Sequence, residues 1–425
     1  MFVSNKKICI FAVKTITQSI MIQESVLQQV IDTQKKKILR LNVGFEREVL
    51  PKMPALQSHA LIVTGIRRCG KSTLLKQLIE EDKSQKLFLS FEDPRLFNFE
   101  LSDFEILDRI IENSTCETLF LDEIQVVEGW ELYVRQKLDE GYRVAVTGSN
   151  ASLLSRELGT KLTGRHISKE LFPFSYREFL GFKNLQAGEK SLQKYMDTGG
   201  FPEFLKTNNT DILTGLFYDI INRDIIVRHG IRDARSLKNL AVYLASNVGN
   251  LVTASKLKQP LNIKTPNTIL DYFSFLEDYY LVNFMPMCSY SLKVQMVNPR
   301  KIYVIDPGII KIASTSFSEN KGHLLENLIY WEFRRQGKEL FYFNENKSEC
   351  DFVVMKNEKL EQVVQVCYEL LPENREREIK GLKDAMDSFN TDKGMIISFN
   401  QRDSFMLNGK RIEVVPAWEF LAELY

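Results

Sequence analysis

Ala60-Leu61-Ile62-Val63-Thr64-Gly65-Ile66-Arg67-Arg68-Cys69-Gly70-Lys71-Ser72-Thr73 is the stretch whose reading decides the fold. An apolar, β-branched run breaks into a loop bounded by two glycines, and Lys-Ser-Thr follows, in the order G-x-x-x-x-G-K-[ST]. Two glycines let the backbone curl so that its N–H groups face a di- or triphosphate. Leu74, Leu75, Leu78 and Ile79 recur at helical spacing, so the positive end of a helix dipole points at the same anion. The spacing therefore predicts a strand, a phosphate-binding loop and a helix, with Gly65, Ile66, Arg67, Arg68, Cys69, Gly70, Lys71, Ser72 and Thr73 around the nucleotide. Lys71 is expected to reach the β- and γ-phosphates and Ser72 to ligate Mg²⁺.

Working outward, Lys86-Leu87-Phe88-Leu89-Ser90-Phe91 reads as a second strand. Ser102-Asp103-Phe104-Glu105 has the form of a capping box opening a helix through Ile106, Leu107, Ile110 and Ile111. Thr118-Leu119-Phe120-Leu121 reads as a buried parallel strand that runs into Asp122-Glu123. Two carboxylates at a strand's C-terminal end suit a metal-shell ligand, Asp122, and a group that orients or deprotonates water, Glu123. Residues 131 to 140 read as a helix and Arg143-Val144-Ala145-Val146-Thr147 as the next strand, leading to Gly148-Ser149-Asn150. Ser149 or Asn150 stands where additional-strand P-loop ATPases keep a polar residue that senses the γ-phosphate; a plain polar turn is the other reading. Ile167 to Leu171 is the fifth strand. Arg165 and Arg156 are candidates for a charge-stabilising arginine, in cis or for a neighbouring subunit, or else are surface ion-pair arginines. Strands alternating with helices spell βαβ units and a parallel sheet, with the ligand at its carboxyl edge.

The 425 residues call for about two to four domains. A hydrophobic content of 44%, a charged content of 26% and a net charge of +1 describe an ordinary globular protein with no whole-molecule field for nucleic acid or membrane. The six cysteines, at 9, 69, 116, 288, 350 and 367, form no C-x-x-C pair, and His59, His166, His229 and His323 show no metal-ligand spacing. Free thiols fit a reducing cytoplasm. No stretch approaches the roughly 20 apolar residues of a membrane span. Ile8 to Val13 is too short for a signal peptide and is followed by Lys14, and Met21 is an alternative start.

Residues 22 to 50 read as a Gln- and Lys-rich helix. Beyond about residue 180 the pattern turns helical. Gly199-Gly200-Phe201-Pro202-Glu203 is a sharp turn, and Phe217 to Val227 is an amphipathic helix. Helical patches at 237–248, 255–257 and 265–277 precede strands at 281–286 and 301–306, the order of a winged helix. Its third helix, around Asp271 and Tyr272, is acidic and aromatic, a poor match to a phosphate backbone. The last segment opens with an amphipathic helix over 322–335, then strands at 340–343, 351–355 and 362–367. Glu326 on the helix and Asp351 opening a strand fit a restriction-endonuclease-like metal centre. Gln365 and Cys367 stand where that pattern has an acid and a lysine, so the centre is expected to be degenerate.

The chain resembles a widespread prokaryotic family of AAA-type ATPases in which a P-loop domain precedes a C-terminal domain of unknown function. The resemblance rests on V-T-G-I-R-R-C-G-K-S-T (63–73), L-F-L-D-E-I-Q (119–125), V-T-G-S-N (146–150), L-T-G-R (162–165), P-F-S-Y-R-E-F (173–179), G-G-F-P-E (199–203), R-K-I-Y-V-I-D-P-G (300–308), L-L-E-N (324–327) and D-F-V-V (351–354). It implies ATP, with Mg²⁺, as the ligand, and an ATPase core followed by winged-helix-like and nuclease-like modules. The expected division is 1–50 as an N-terminal extension and helix, 51–180 as the ATPase, 181–310 as the helical winged-helix-like region and 311–425 as the nuclease-like α/β domain. The expected activity is ATP hydrolysis as a cytoplasmic motor or switch, with Lys71, Glu123 and Arg165 in catalytic roles. Nucleic acid or a protein partner would meet residues 181–425, and a homo-oligomer is compatible. The alternatives are a nucleic-acid-binding or defence-related regulator that hydrolyses slowly, a residual nuclease, or a small-molecule kinase.

Overall fold

Five apolar runs become one parallel sheet in the computed structural model, which describes residues 21–40, 42–151, 161–162, 164–289, 291–315, 320–345 and 348–423. The strands are β1 (Ala60–Thr64), β2 (Lys86–Ser90), β3 (Thr118–Asp122), β4 (Arg143–Gly148) and β5 (His166–Glu170), ordered β2-β3-β4-β1-β5 and parallel throughout. β4 sits between β1 and β3, so the loop after β1 and the acids ending β3 are one strand apart at the same carboxyl edge. Every residue of β1 and β3 is buried, as helices on both faces require.

The N-terminal helix ends sooner than the sequence pattern indicates, spanning Glu24–Arg40 rather than running on to residue 50. Gly44, at φ 77°, takes a left-handed backbone that a helix cannot continue through. The chain from Val43 instead crosses the helix Lys71–Glu81, whose Gln77 Nε2 donates to Val43 O (3.2 Å) and Phe45 O (2.8 Å). Gln34 covers the open edge of β2, donating to Ser90 O (3.0 Å) and accepting from Ser90 N (2.7 Å). The capping box expected at Ser102 lies instead between Glu100 and Asp103, on the turn Leu101–Asp103, where Asp103 accepts from Glu100 N (2.8 Å) and Ile22 N (2.9 Å) ahead of the helix Phe104–Glu112.

In the middle of the chain, the helix Thr210–Asp219 runs into a π-helical stretch, Ile220–Val227, where one α-helix was expected. Next come the helix Ala234–Ser246, β6 (Leu251–Val252), the helices Ala254–Leu257 and Pro266–Asp278, β7 (Val282–Met285), the short helix Leu292–Val297 and β8 (Arg300–Val304). These strands form an antiparallel sheet in the order β6-β8-β7. The turn at Gly199-Gly200 and the Asp306-Pro307-Gly308 segment meet: Asp306 accepts from Gly200 N (2.6 Å) and Gly308 N (2.8 Å). A Cβ on Gly199, at φ 69°, would lie 1.9 Å from Asp306 Oδ1.

Burial pushes the Asp306 carboxyl up to about 6, against the pull of those amides. The folded chain therefore binds a proton that the unfolded chain has released between about pH 4 and 6, and this group's contribution to stability falls as pH rises through that window. Asp306→Asn is expected to flatten the slope of unfolding midpoint against pH between 4 and 6 relative to wild type. An unchanged slope would refute the assignment.

The C-terminal sheet comprises β9 (Glu339–Glu345), β10 (Ser348–Lys356), β11 (Lys359–Cys367), β12 (Lys393–Ser398), β13 (Asp403–Leu407) and β14 (Lys410–Pro416), ordered β13-β14-β12-β11-β10-β9. The helix Lys321–Arg335 packs it onto the rest: Trp331 lies 5.4 Å from the Phe172 ring, and Arg334 pairs with Glu170 of β5 (3.2 Å). One apolar cluster runs from Leu61 and Val63 of β1 through Tyr280 and Tyr303 to Phe352. Among the described residues no helix is long and apolar enough to cross a membrane.

Candidate nucleotide site

The loop after β1 closes tightly. A Cβ on Gly65 would lie 2.0 Å from Leu171 O, and Gly70, at φ 107°, caps the helix Lys71–Glu81, so both positions demand glycine. Lys71 is 4% exposed and folds back on the loop. Its Nζ donates to Gly65 O (3.1 Å) and Ile66 O (3.2 Å) and lies 3.3 Å from Glu123 Oε1. Burial, the largest single effect, would depress the Lys71 ammonium, but Glu123, Cys69 and Asp122 together outweigh it and the net shift is upward. Burial would likewise raise Glu123, and Lys71 with the Gln125 and Ser149 side chains reverses the sign, so Glu123 is held below the usual glutamate range.

Asp122 lies beside this pair. Ser72 Oγ donates to both its oxygens (3.1 and 3.0 Å), and Thr147 Oγ1 donates to Oδ1 (2.6 Å) while accepting from Glu123 N (3.0 Å). Burial, then repulsion from Glu123, raises the Asp122 carboxyl. Glu123 sits in the left-handed region at φ 54°, turning its carboxylate from the strand toward Lys71. Gln125 Nε2 holds Glu123 Oε2 (2.5 Å) and reaches Ser149 Oγ (3.3 Å). A hydroxyl and a carboxylate side by side are hard oxygen donors, the set that suits Mg²⁺. A cavity of about 570 Å³ opens here, lined by Gln34, Ser72, Thr73, Lys76, Glu92 and Asp122.

The other loop residues point outward or inward by position. Ile66 is fully buried, and the buried Cys69 thiol donates to Leu171 O (3.3 Å), burial pushing its pKa up. Arg67 pairs with Glu92 (3.0 Å) and with Asp224 of the π-helical stretch (3.5 Å), and Arg68 pairs with Glu203 (3.3 Å). Lys71, Ser72, Asp122, Glu123 and Ser149 thus come together. Arg165 does not. Its carbonyl accepts from Ala60 N, at the opposite end of β1 from the loop, and its guanidinium pairs with Asp139. The order of the parallel strands forbids a cis role, because residue 165 enters β5 at the sheet's amino edge. Arg156 lies outside the described residues.

Sequence reading missed three positioning groups. Thr147 lay in plain view at the end of β4. Arg228 donates to Gln125 O (2.8 Å), and Arg47 donates to Cys69 O (2.8 Å), to Phe172 O (2.8 Å) and to Glu178 (2.7 Å). The first is a helix-end arginine and the second a lone charge in a loop, so neither had a local pattern to mark it.

At the other end of the chain, Glu326, Asp351, Gln365 and Cys367 do meet, around one cavity of about 980 Å³. Gln365 Oε1 accepts from Asp351 N (3.2 Å) and its amide donates to Glu378 (2.8 Å). Burial pushes the Cys367 thiol up to about 12. Among the described residues no group of His, Cys, Asp and Glu is arranged to hold a metal ion.

A five-stranded parallel sheet with β4 between β1 and β3, a G-x-x-x-x-G-K-S loop after β1 and an Asp-Glu pair after β3 defines a P-loop NTPase domain. A family model for an AAA domain matches residues 57–180, and one for a domain of unknown function (DUF8612) matches residues 189–320. The uncharacterized protein MJ1544 of Methanocaldococcus jannaschii is 32% identical over 440 residues, covering 95% of this chain and 96% of its own. An uncharacterized protein of Haemophilus influenzae is 30% identical over 380 residues, covering 84% and 93%. The chain belongs to the family of these two proteins, an AAA domain followed by a domain of unknown function. Solved structures with partial overlap include AMPPCP-bound DnaA from Aquifex aeolicus, at 13% identity and TM-score 0.27 over 59% of this chain and 88% of that one. The Thermotoga maritima RuvB Holliday junction branch migration motor overlaps at 18% identity and TM-score 0.27, over 62% and 90%. Overlaps this small carry no argument about function.

Proposed function

We propose that the chain binds ATP at residues 65–73 and hydrolyses it to ADP and phosphate, as a switch or motor acting on residues 181–425. The observation that carries this is the buried Lys71–Glu123 pair (3.3 Å) beside the Ser72–Asp122 contact. Ser72 and Asp122 would hold Mg²⁺, which would supply charge screening for the β- and γ-phosphates. Lys71 leaves Glu123 for those phosphates. Glu123, kept in place by Gln125 and the Thr147 contact, then orients a water and takes its proton as oxygen bonds to the γ-phosphorus and the bond to the β–γ bridging oxygen breaks. Arg67–Asp224, Arg68–Glu203 and Arg228–Gln125 O support coupling, since each ties the loop or the Glu123 neighbourhood to the middle of the chain.

The element order helix, β6, helix, helix, β7, β8, with a short helix (Leu292–Val297) inserted between the last two strands, supports reading residues 181–310 as winged-helix-like, with 51–180 as the ATPase, 1–50 as its extension and 311–425 as nuclease-like without cleavage. The acidic helix Pro266–Asp278 favours a protein partner over duplex DNA. A homo-oligomer is the arrangement in which Arg165 could serve a neighbour's site.

The test is phosphate release from ATP with Mg²⁺, with and without DNA. Lys71→Ala is expected to abolish both nucleotide binding and release, because it removes the buried ammonium that lies against Gly65 O and Ile66 O of the loop. A wild type that binds ATP but releases no phosphate under either condition would sink the hydrolytic reading. Stimulation by DNA, lost at raised salt, would favour the nucleic-acid regulator instead.

A further inference from the structure

The residues expected to form a metal-dependent centre surround a side chain that the sequence pattern does not single out. Lys301, on β8, is 2% exposed, and its Nζ lies 2.7 Å from Asp351 Oδ1, 2.8 Å from Glu349 Oε1 and 3.1 Å from Glu326 Oε1. An ammonium has three N–H donors, and here it faces three carboxylates. Two further donors serve two of these carboxylates. Tyr303 Oη donates to Glu326 Oε1 (2.6 Å), and Val366 N donates to Asp351 Oδ2 (2.9 Å). Burial alone would discharge Lys301, but Asp351, Glu326 and Glu349 together hold its pKa well above the ordinary lysine value, so the cation persists. Burial, then Asp351, pushes Glu326 up to about 7 despite that cation.

We propose that the Lys301 ammonium is the resident cation of this centre, standing where a divalent metal would and tying β8 to the C-terminal sheet. Both departures from a metal-dependent pattern then have one cause. Gln365 in place of an acid lowers the negative charge toward what a single positive charge can balance. Cys367 need not be lysine, because the ammonium arrives from β8. Removing one partner of a buried ion cluster leaves the rest uncompensated. A centre stripped of Lys301 therefore recruits another cation, and its oxygen ligands suit Mn²⁺ or Mg²⁺. The inference uses the nuclease-like reading only to locate the centre and is independent of ATP hydrolysis.

The test is Mn²⁺ binding to the full chain at pH 8 without nucleotide, counted from the electron paramagnetic resonance of free Mn²⁺. Wild type and Asp351→Asn are expected to bind the same number of ions. Lys301→Met is expected to bind one more than wild type, a gain that Lys301→Met combined with Asp351→Asn lacks. An ion held by wild type and lost in Asp351→Asn would overturn the proposal, as would a folded Lys301→Met that gains none. If Lys301→Met does not fold, the wild-type and Asp351→Asn pair decides alone. An ion lost only in Asp122→Asn belongs to the nucleotide site, and with Asp351→Asn matching wild type that result supports the proposal.

Discussion

Glu123→Gln is expected to slow phosphate release about 10²- to 10⁴-fold, the contribution usual for a positioned general base, while ATP binding is kept. The amide fills the same space, so Gln125 and Thr147 still hold the residue, but it has no charge with which to accept a proton. Lys71, no longer drawn to a carboxylate at 3.3 Å, meets less competition for the phosphates, so ATP is expected to bind at least as tightly as to wild type. Single-turnover hydrolysis beside equilibrium binding of a fluorescent ATP analogue separates the two effects. A variant that binds ATP and still turns over at the wild-type rate would remove Glu123 from the chemistry and leave the water to another group.

Arg47→Met is expected to cost about 3–5 kcal/mol of folding stability, the range for breaking one side of a buried ion pair. Arg47 and Glu178 side chains are each only 4% exposed and lie 2.7 Å apart, so methionine leaves a buried carboxylate without its ion-pair partner. The same change removes donors from Cys69 O and Phe172 O, freeing the loop from the chain that follows β5. Burial would raise the Glu178 carboxyl, but Arg47 with the Ser175 and Glu48 amides holds it below the usual range. Its contribution is therefore present above the ordinary glutamate pKa and is lost as pH falls through the lower folded value. In Arg47→Met the sign reverses and acidification relieves the uncompensated charge. Urea unfolding at pH 7 and pH 4 measures both expectations. A change under 1 kcal/mol at pH 7 would show that water already shares the pair.

Much of the nucleotide site was legible because it is local in sequence. The G-x-x-x-x-G-K-S spacing, the five apolar runs and the Asp-Glu pair after β3 each occupy one short segment with its own periodicity, and each falls where its pattern indicated. What failed was of another kind. The helix expected to reach residue 50 stops at Arg40, because Gly44 and the crossing over Gln77 override a continuous polar pattern. The helix over 217–227 becomes π-helical. Arg165 sits in a suggestive motif, yet parallel strand order carries it to the amino edge of the sheet, away from this chain's own loop, which rules out the cis half of its expected role.

The sequence by itself determined the class of this protein, since backbone curvature, strand burial and phosphate-facing amides follow from residues within about a dozen positions of one another. Only the tertiary structure decided which charges meet. Arg47 reaches Glu178 across 131 positions, Arg228 reaches Gln125 across 103, and Lys301 reaches Asp351 across 50. A buried charge must find its counter-charge wherever folding brings one. Chain order holds no record of that partner, and so Glu326 and Asp351, with no lysine beside them in the sequence pattern, meet one that comes from β8.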